Sequence, residues 1–109
     1  MARNISFEYE GVRYTLEFTR RSVKKMEDGG FDVTQVEHRP MTMYPKLFEG
    51  AFIAHHPFIK KGLADTIYSK LKNKAELMDA LADMYSDTLM SILDEPSESE
   101  GNVTWETNV

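Results

Sequence analysis

The sequence predicts an α+β fold, with an N-terminal β-hairpin packed on a bundle of about four helices and an extended C-terminal tail. Three observations carry this. Apolar residues alternate with polar ones on both sides of Gly11, later segments repeat their apolar residues at helical spacing, and a polar Pro-Ser-Glu stretch precedes a last alternating segment. A chain of 109 residues is long enough for one compact core and short for two. We expect one folded unit over residues 1–95, a flexible acidic linker over 96–101 and an extended segment over 102–109.

Ile5, Phe7 and Tyr9 alternate with polar residues, and after Glu10-Gly11 the alternation resumes at Val12, Tyr14, Leu16 and Phe18. This is a hairpin whose turn uses the glycine's freedom to take positive φ. Two strands alone are marginal in water, so their aromatic face must lie on helices. Thr19 is placed to cap a helix from Arg20 to about Asp28, with Phe18 and Val23 as a hydrophobic staple and Gly29-Gly30 as its stop. Val23 and Met26 face inward, and Arg20, Arg21, Lys24 and Lys25 form a basic outer surface, suited to solvation or to an acidic partner. Phe31 to Pro40 is expected to be extended, as a third short strand or a loop anchored by Val36.

Thr42 is the expected cap of a central buried helix, with Pro45 in its first turn and Tyr44, Leu47, Phe48, Ala51 and Phe52 on the inward face. Met43, Ile53 and Ala54 make its flanks apolar too, so it should be covered on most sides. His55-His56-Pro57 breaks the chain, and a further helix should start near Pro57 or Phe58, with Leu63, Ile67 and Leu71 stacked on one face. Asn73 and Glu76 have the spacing of a capping box. The helix behind them carries Leu77, Leu81, Met84, Tyr85, Thr88, Leu89 and Ile92 on one side and Asp79, Asp83, Asp87 and Asp94 on or near the other, and should end at Asp94 or Glu95, ahead of Pro96.

Charge is distributed unevenly. Residues 1–72 carry 12 Lys and Arg against 9 Asp and Glu, whereas residues 73–109 carry 1 against 9, within a net charge of -5. An acidic C-terminal third repels phosphate backbones, which speaks against nucleic-acid binding and for solvation or a basic partner. The chain has no cysteine, so it offers neither a disulfide nor a thiolate, and the cytoplasm is the expected compartment. No window approaches the ~18 apolar residues of a membrane span, and no membrane partner is expected.

Residues able to carry chemistry are few. His55, His56 and His38, with nearby carboxylates, are the candidate metal ligands of a small metal-dependent enzyme. Adjacent helical residues point about 100° apart, however, and no H-x-x-x-H is present, so histidines closing a helix account for the pair. Ser69, Ser86 and Ser91 sit within predicted helices without a G-x-S-x-G, and no phosphate-binding glycine loop occurs. We expect no catalytic residue, cofactor or metal. Met78, Met84 and Met90 are either an adaptable binding surface or core filling. Asn102-Val103-Thr104 matches a glycosylation acceptor, which has no meaning in a cytoplasmic protein.

The C-terminal segment is harder to read as filler. Val103, Trp105, Thr107 and Val109 alternate with polar residues, and Trp105 is the sole tryptophan. An aromatic anchor on an extended segment suits strand addition to another protein's sheet edge, or a return onto the chain's own hairpin. The candidate partner-binding residues are therefore Trp105 and Val103, with Asp79, Asp83 and Asp87 on the acidic helix.

The order of several segments resembles the short tail assembly chaperones of long-tailed bacteriophages and prophages, together with related phage-derived domains of unknown function. These segments are Phe7-Glu8-Tyr9-Glu10-Gly11-Val12-Arg13-Tyr14, Phe18-Thr19-Arg20-Arg21-Ser22-Val23-Lys24-Lys25-Met26-Glu27, Pro40-Met41-Thr42-Met43-Tyr44-Pro45-Lys46-Leu47-Phe48-Glu49-Gly50-Ala51-Phe52, His55-His56-Pro57 and Gly101-Asn102-Val103-Thr104-Trp105-Glu106. The resemblance implies a mostly helical protein that coats the tape-measure protein in the bacterial host's cytoplasm while the tail tube polymerises. It implies no catalytic residues. A homo-oligomer is the expected working form, because a coat must repeat along its client. A structural tail or head-tail connector protein is the alternative.

Overall fold

Strands β1 (Ile5–Tyr9) and β2 (Val12–Leu16) pair antiparallel in a computed structural model that describes residues 3–94, 101 and 103–108. The register sets Ile5 opposite Leu16, Phe7 opposite Tyr14 and Tyr9 opposite Val12, so the apolar residues share one face. Glu10 and Gly11 both take positive φ, 49° and 79°, the geometry that a two-residue hairpin turn requires. The hairpin thus forms where the alternation places it.

Helix α1 (Arg20–Asp28) starts at Thr19 as expected. Thr19 Oγ1 accepts from the Ser22 amide at 3.1 Å, and Ser22 Oγ accepts from the Thr19 amide at 2.9 Å, a reciprocal box that lets Ser22 be buried. The helix closes through Gly30, at φ 97°, with the Phe31 amide donating to Met26 O and the Gly30 amide to Glu27 O. This closure draws Phe31 into the core beside Met26. The extended reading of Phe31–Pro40 is therefore corrected: Phe31 completes a helix cap, and Val33–Gln35 form a 3-10 turn. Asp32 Oδ1 caps that turn by accepting from Thr34 Oγ1 at 2.6 Å and from the Thr34 amide at 2.9 Å, which holds its carboxyl below the usual pKa.

Helix α2 (Pro40–Gly50) begins two residues before the expected Thr42, because Pro40 is itself suited to the first helical position. Its inward residues are Met43, Leu47 and Phe48, and Tyr44, expected to be inward, is exposed. The helix also ends earlier than expected. Residues 51–55 continue as tighter turns, with the Phe52 amide on Glu49 O, the Ile53 amide on Gly50 O and the His55 amide on Phe52 O.

Helix α3 (Lys61–Lys70) starts later than Pro57, since residues 57–60 are used to turn the chain back, and Phe58 is left 93% exposed. Ala64 and Ile67 are its buried residues, with Leu63 at the surface instead of in the expected stack. Helix α4 (Lys74–Met90) buries Met78, Leu81, Met84 and Tyr85. The expected Asn73–Glu76 capping box does not form. Asn73 adopts the left-handed conformation (φ 57°, ψ 45°) and its side chain caps no amide, whereas the box needs an extended cap residue. Beyond Met90 the chain tightens into a 3-10 turn, Ser91–Leu93, which rotates Ile92 away from the core. Among the described residues, no helix is long and apolar enough to cross a membrane.

The hairpin and all four helices share one core. Phe52 sits edge-on to Phe7, Tyr14 and Phe48, and Tyr85 sits edge-on to Phe18 and Phe31, at centroid distances of 5.1–6.3 Å. Burial, with Glu27 and Asp32 nearby, pushes the Tyr85 phenol up to about 12. Gly50 is where α1 meets α2, and a Cβ there would overlap the Met26 side chain as far in as Cγ, at 2.7 Å. Gly50→Ala is therefore expected to lower unfolding stability by about 1 kcal/mol, because overpacking outweighs the better helix propensity. In a Met26→Ala background the same change should cost nothing, and urea unfolding of the double-mutant cycle measures the difference.

Candidate protein-binding surface

Three exposed features remain once the core is assembled. The first is the outer face of α4, where Asp79, Asp83 and Asp87 are all exposed, as their helical spacing requires. Asp87 is already engaged, accepting from Arg3 Nη2 at 2.6 Å across the surface. The face continues into exposed apolar residues: Met90, Ile92 and Leu93 are 66%, 72% and 76% exposed. Arg20 fixes this end of the ridge by donating to Ser91 O and, at 3.3 Å, to Ser91 Oγ, and Thr88 Oγ1 donates to Phe18 O at 3.2 Å. The ridge is therefore acidic along its length and apolar at its C-terminal end.

The second is a groove of about 460 Å³ between the first turns of α2 and α4 and the end of α3, lined by Met41, Tyr44, Pro45, Tyr68, Ala75 and Met78. Pro45 carries no N–H, so the Met41 carbonyl has no helical donor, and the α2 wall of the groove is built on this interrupted turn. Lys74 and Asp79 supply its polar rim. Lys74 Nζ donates to Leu71 O at 2.6 Å and lies 5.6 Å from the Tyr68 ring centroid, which satisfies the last carbonyls of α3 and holds a cation at the groove's edge. Sequence periodicity missed this groove. Helical spacing places Tyr44 on the inward face of α2, whereas the structure leaves it exposed beside Met41 as a wall of the groove.

The third is the C-terminal segment. Val103–Asn108 forms no strand, on its own or with the hairpin, and Val103 and Trp105 are 88% and 83% exposed. The acidic linker expected at 96–101 lies outside the described residues except for Gly101. Of the predicted set, Asp79 alone lines the groove; Asp83 and Asp87 lie further along α4.

The histidines do not converge. His55 Nε2 lies 2.8 Å from Glu17 Oε1, His56 Nε2 accepts from the Thr15 amide at 3.0 Å, and His38 is exposed elsewhere. Among the described residues, no three His, Asp or Glu side chains cluster as metal ligands. Glu49 is the one described residue with a buried side-chain oxygen lacking a hydrogen-bond partner. Burial raises its carboxyl pKa, with Lys61 pulling the other way.

A family model described as Domain of unknown function (DUF5055) matches residues 1–109. The chain belongs to this family. No curated protein and no solved structure matches it. The geometry of this DUF5055 chain leaves three features exposed: an acidic ridge with an apolar end, an apolar groove and an aromatic tail.

The His56 bond also makes the hairpin's attachment sensitive to acid. Burial first, and His55 second, lower the His56 pKa from 6.5, and only the neutral ring can accept the Thr15 amide. The unfolded chain takes up its proton near 6.5 while the folded one resists, so stability falls as pH drops below 6.5 towards the folded value. Glu49, whose folded pKa is raised from 4.5, acts in the opposite sense at lower pH. His56→Gln retains a neutral acceptor, and urea midpoints from about pH 7 to about pH 5 should fall less steeply for this variant than for the wild type.

Proposed function

We propose that this chain is a protein-binding tail assembly chaperone of a phage or prophage, coating the tape-measure protein in the host cytoplasm during tail assembly. The observation that carries a protein-binding role is the α4 ridge, where Asp79, Asp83 and Asp87 lead into exposed Met90, Ile92 and Leu93. Large apolar side chains rimmed by one sign of charge fit a long helical client with apolar stripes and basic flanks. The flexible thioether of Met90 lets the apolar end adapt to successive stretches of such a client. The order of segments that resembles the tail assembly chaperones supports the finer reading, and the fold is of the α+β, mostly helical kind which that resemblance implies.

The test is co-expression with a tape-measure protein of a phage or prophage whose genome encodes this chain, followed by light scattering of what co-purifies. A soluble complex holding many copies of the chain is expected. Ile92→Ser with Leu93→Ser, both at exposed positions, should leave the fold intact and reduce client recovery about tenfold or more. No complex and a free chain would overturn the proposal, and finding the chain inside finished particles would assign it instead to a structural tail or connector role.

A further inference from the structure

We propose that the Trp105 segment of one copy docks in the apolar groove of a second copy, joining subunits head to tail. This deepens the self-association expected of a coat-forming chaperone, and because its test uses no client, either reading can fail alone. The groove offers Met41, Tyr44, Pro45, Tyr68 and Met78 around about 460 Å³, and Met41 is 90% exposed. Trp105 is 83% exposed and Val103, two residues earlier on the same side of an extended chain, is 88% exposed. An indole is the largest apolar group the chain can offer, and methionine and tyrosine walls are suited to receive it.

Charge selects this occupant. After Lys74 the chain has no Lys or Arg, and the tail carries Glu95, Glu98, Glu100 and Glu106. The groove lies beside the corner between α3 and α4, which bears Lys70, Lys72 and Lys74. Acidic tail and basic corner are complementary.

Charge also decides between a chain's own groove and a neighbour's. The groove is at the N-terminal end of α4 and the tail leaves beyond its C-terminal end, roughly 22 Å along the helix axis. To reach its own groove along α4, the tail would lay Glu95, Glu98 and Glu100 against the ridge of Asp79, Asp83 and Asp87, like charge on like charge. A second copy can instead present its lysine corner first. The eleven residue steps from Asp94 to Trp105 span at most ~40 Å, enough to leave one subunit and enter the next. Such a contact is heterologous, so it propagates from subunit to subunit instead of stopping at a dimer.

The experiment follows the mass of the purified full chain by light scattering over a concentration series, together with the fluorescence of Trp105, which as the sole tryptophan reads the tail alone. Emission should shift to the blue as mass rises. Met41→Glu and Trp105→Ala should each weaken self-association roughly tenfold or more, the loss expected of an anchor and its pocket. Circular dichroism checks that both variants remain folded. A mixture of the two variants should form a dimer and nothing larger, because only the Met41→Glu tail and the Trp105→Ala groove are intact. Blue-shifted emission at every concentration with a monomer mass would place the tail in its own groove and overturn the proposal. Emission of an exposed indole from a persistent monomer would also overturn it, as would self-association that Met41→Glu leaves unchanged.

Discussion

The turn that follows α2 is the point on which the fold depends. A two-stranded hairpin has no stability of its own, and here its second strand is held from outside: the Glu17 amide donates to Ala51 O at 2.9 Å and the Thr15 amide to His56 Nε2 at 3.0 Å. These bonds use amides that would otherwise mark an open sheet edge. Between them Phe52, with no exposed surface, wedges its ring against Phe7, Tyr14 and Phe48. Had α2 continued as a regular helix to His55, as its spacing suggests, the Ala51 carbonyl would have been committed to a helical amide. The early end of α2 is therefore what allows a hairpin and a helical body to become one core.

The exposed surfaces follow from how the remaining elements pack. Once α4 turns Leu81, Met84 and Tyr85 inward, its aspartates have only the outside left to occupy. The tightening at Ser91–Leu93 then takes Ile92 out of the core-facing stripe and, with Arg20 bonded to Ser91, presents it beside Met90 and Leu93. On α2, the interrupted turn around Pro45 and the outward position of Tyr44 open the groove against Tyr68 and Met78. The apolar end of the ridge and the groove both lie at helix ends, where regular geometry gives out and side chains are no longer committed to the interior.

How much could be read beforehand depended on whether the controlling interaction was local. The hairpin with its turn and the Thr19 cap both involve neighbours in sequence, and both appear where expected. The Asn73–Glu76 box had the right spacing and the wrong backbone, because the turn out of α3 forces Asn73 into the left-handed region. Tyr44 and Leu63 matched their helical stripes but are exposed, since a stripe specifies a face and not how far the neighbouring element extends to cover it. Of the candidate site, the aspartates and Trp105 were legible as exposed polar spacing and an isolated aromatic, whereas the groove was not.

Composition and periodicity by themselves determined the α+β class, the position of the hairpin, the existence of the helices and the separation of an acidic C-terminal third. These are consequences of residue chemistry repeated at short range. The tertiary structure alone decided where α2 stops, what His56 accepts, which apolar residues stay outside and that residues from Pro40 to Asp79 share one groove. Those outcomes join segments tens of residues apart, and they depend on competition for the same core volume and the same backbone donors, which no local pattern records.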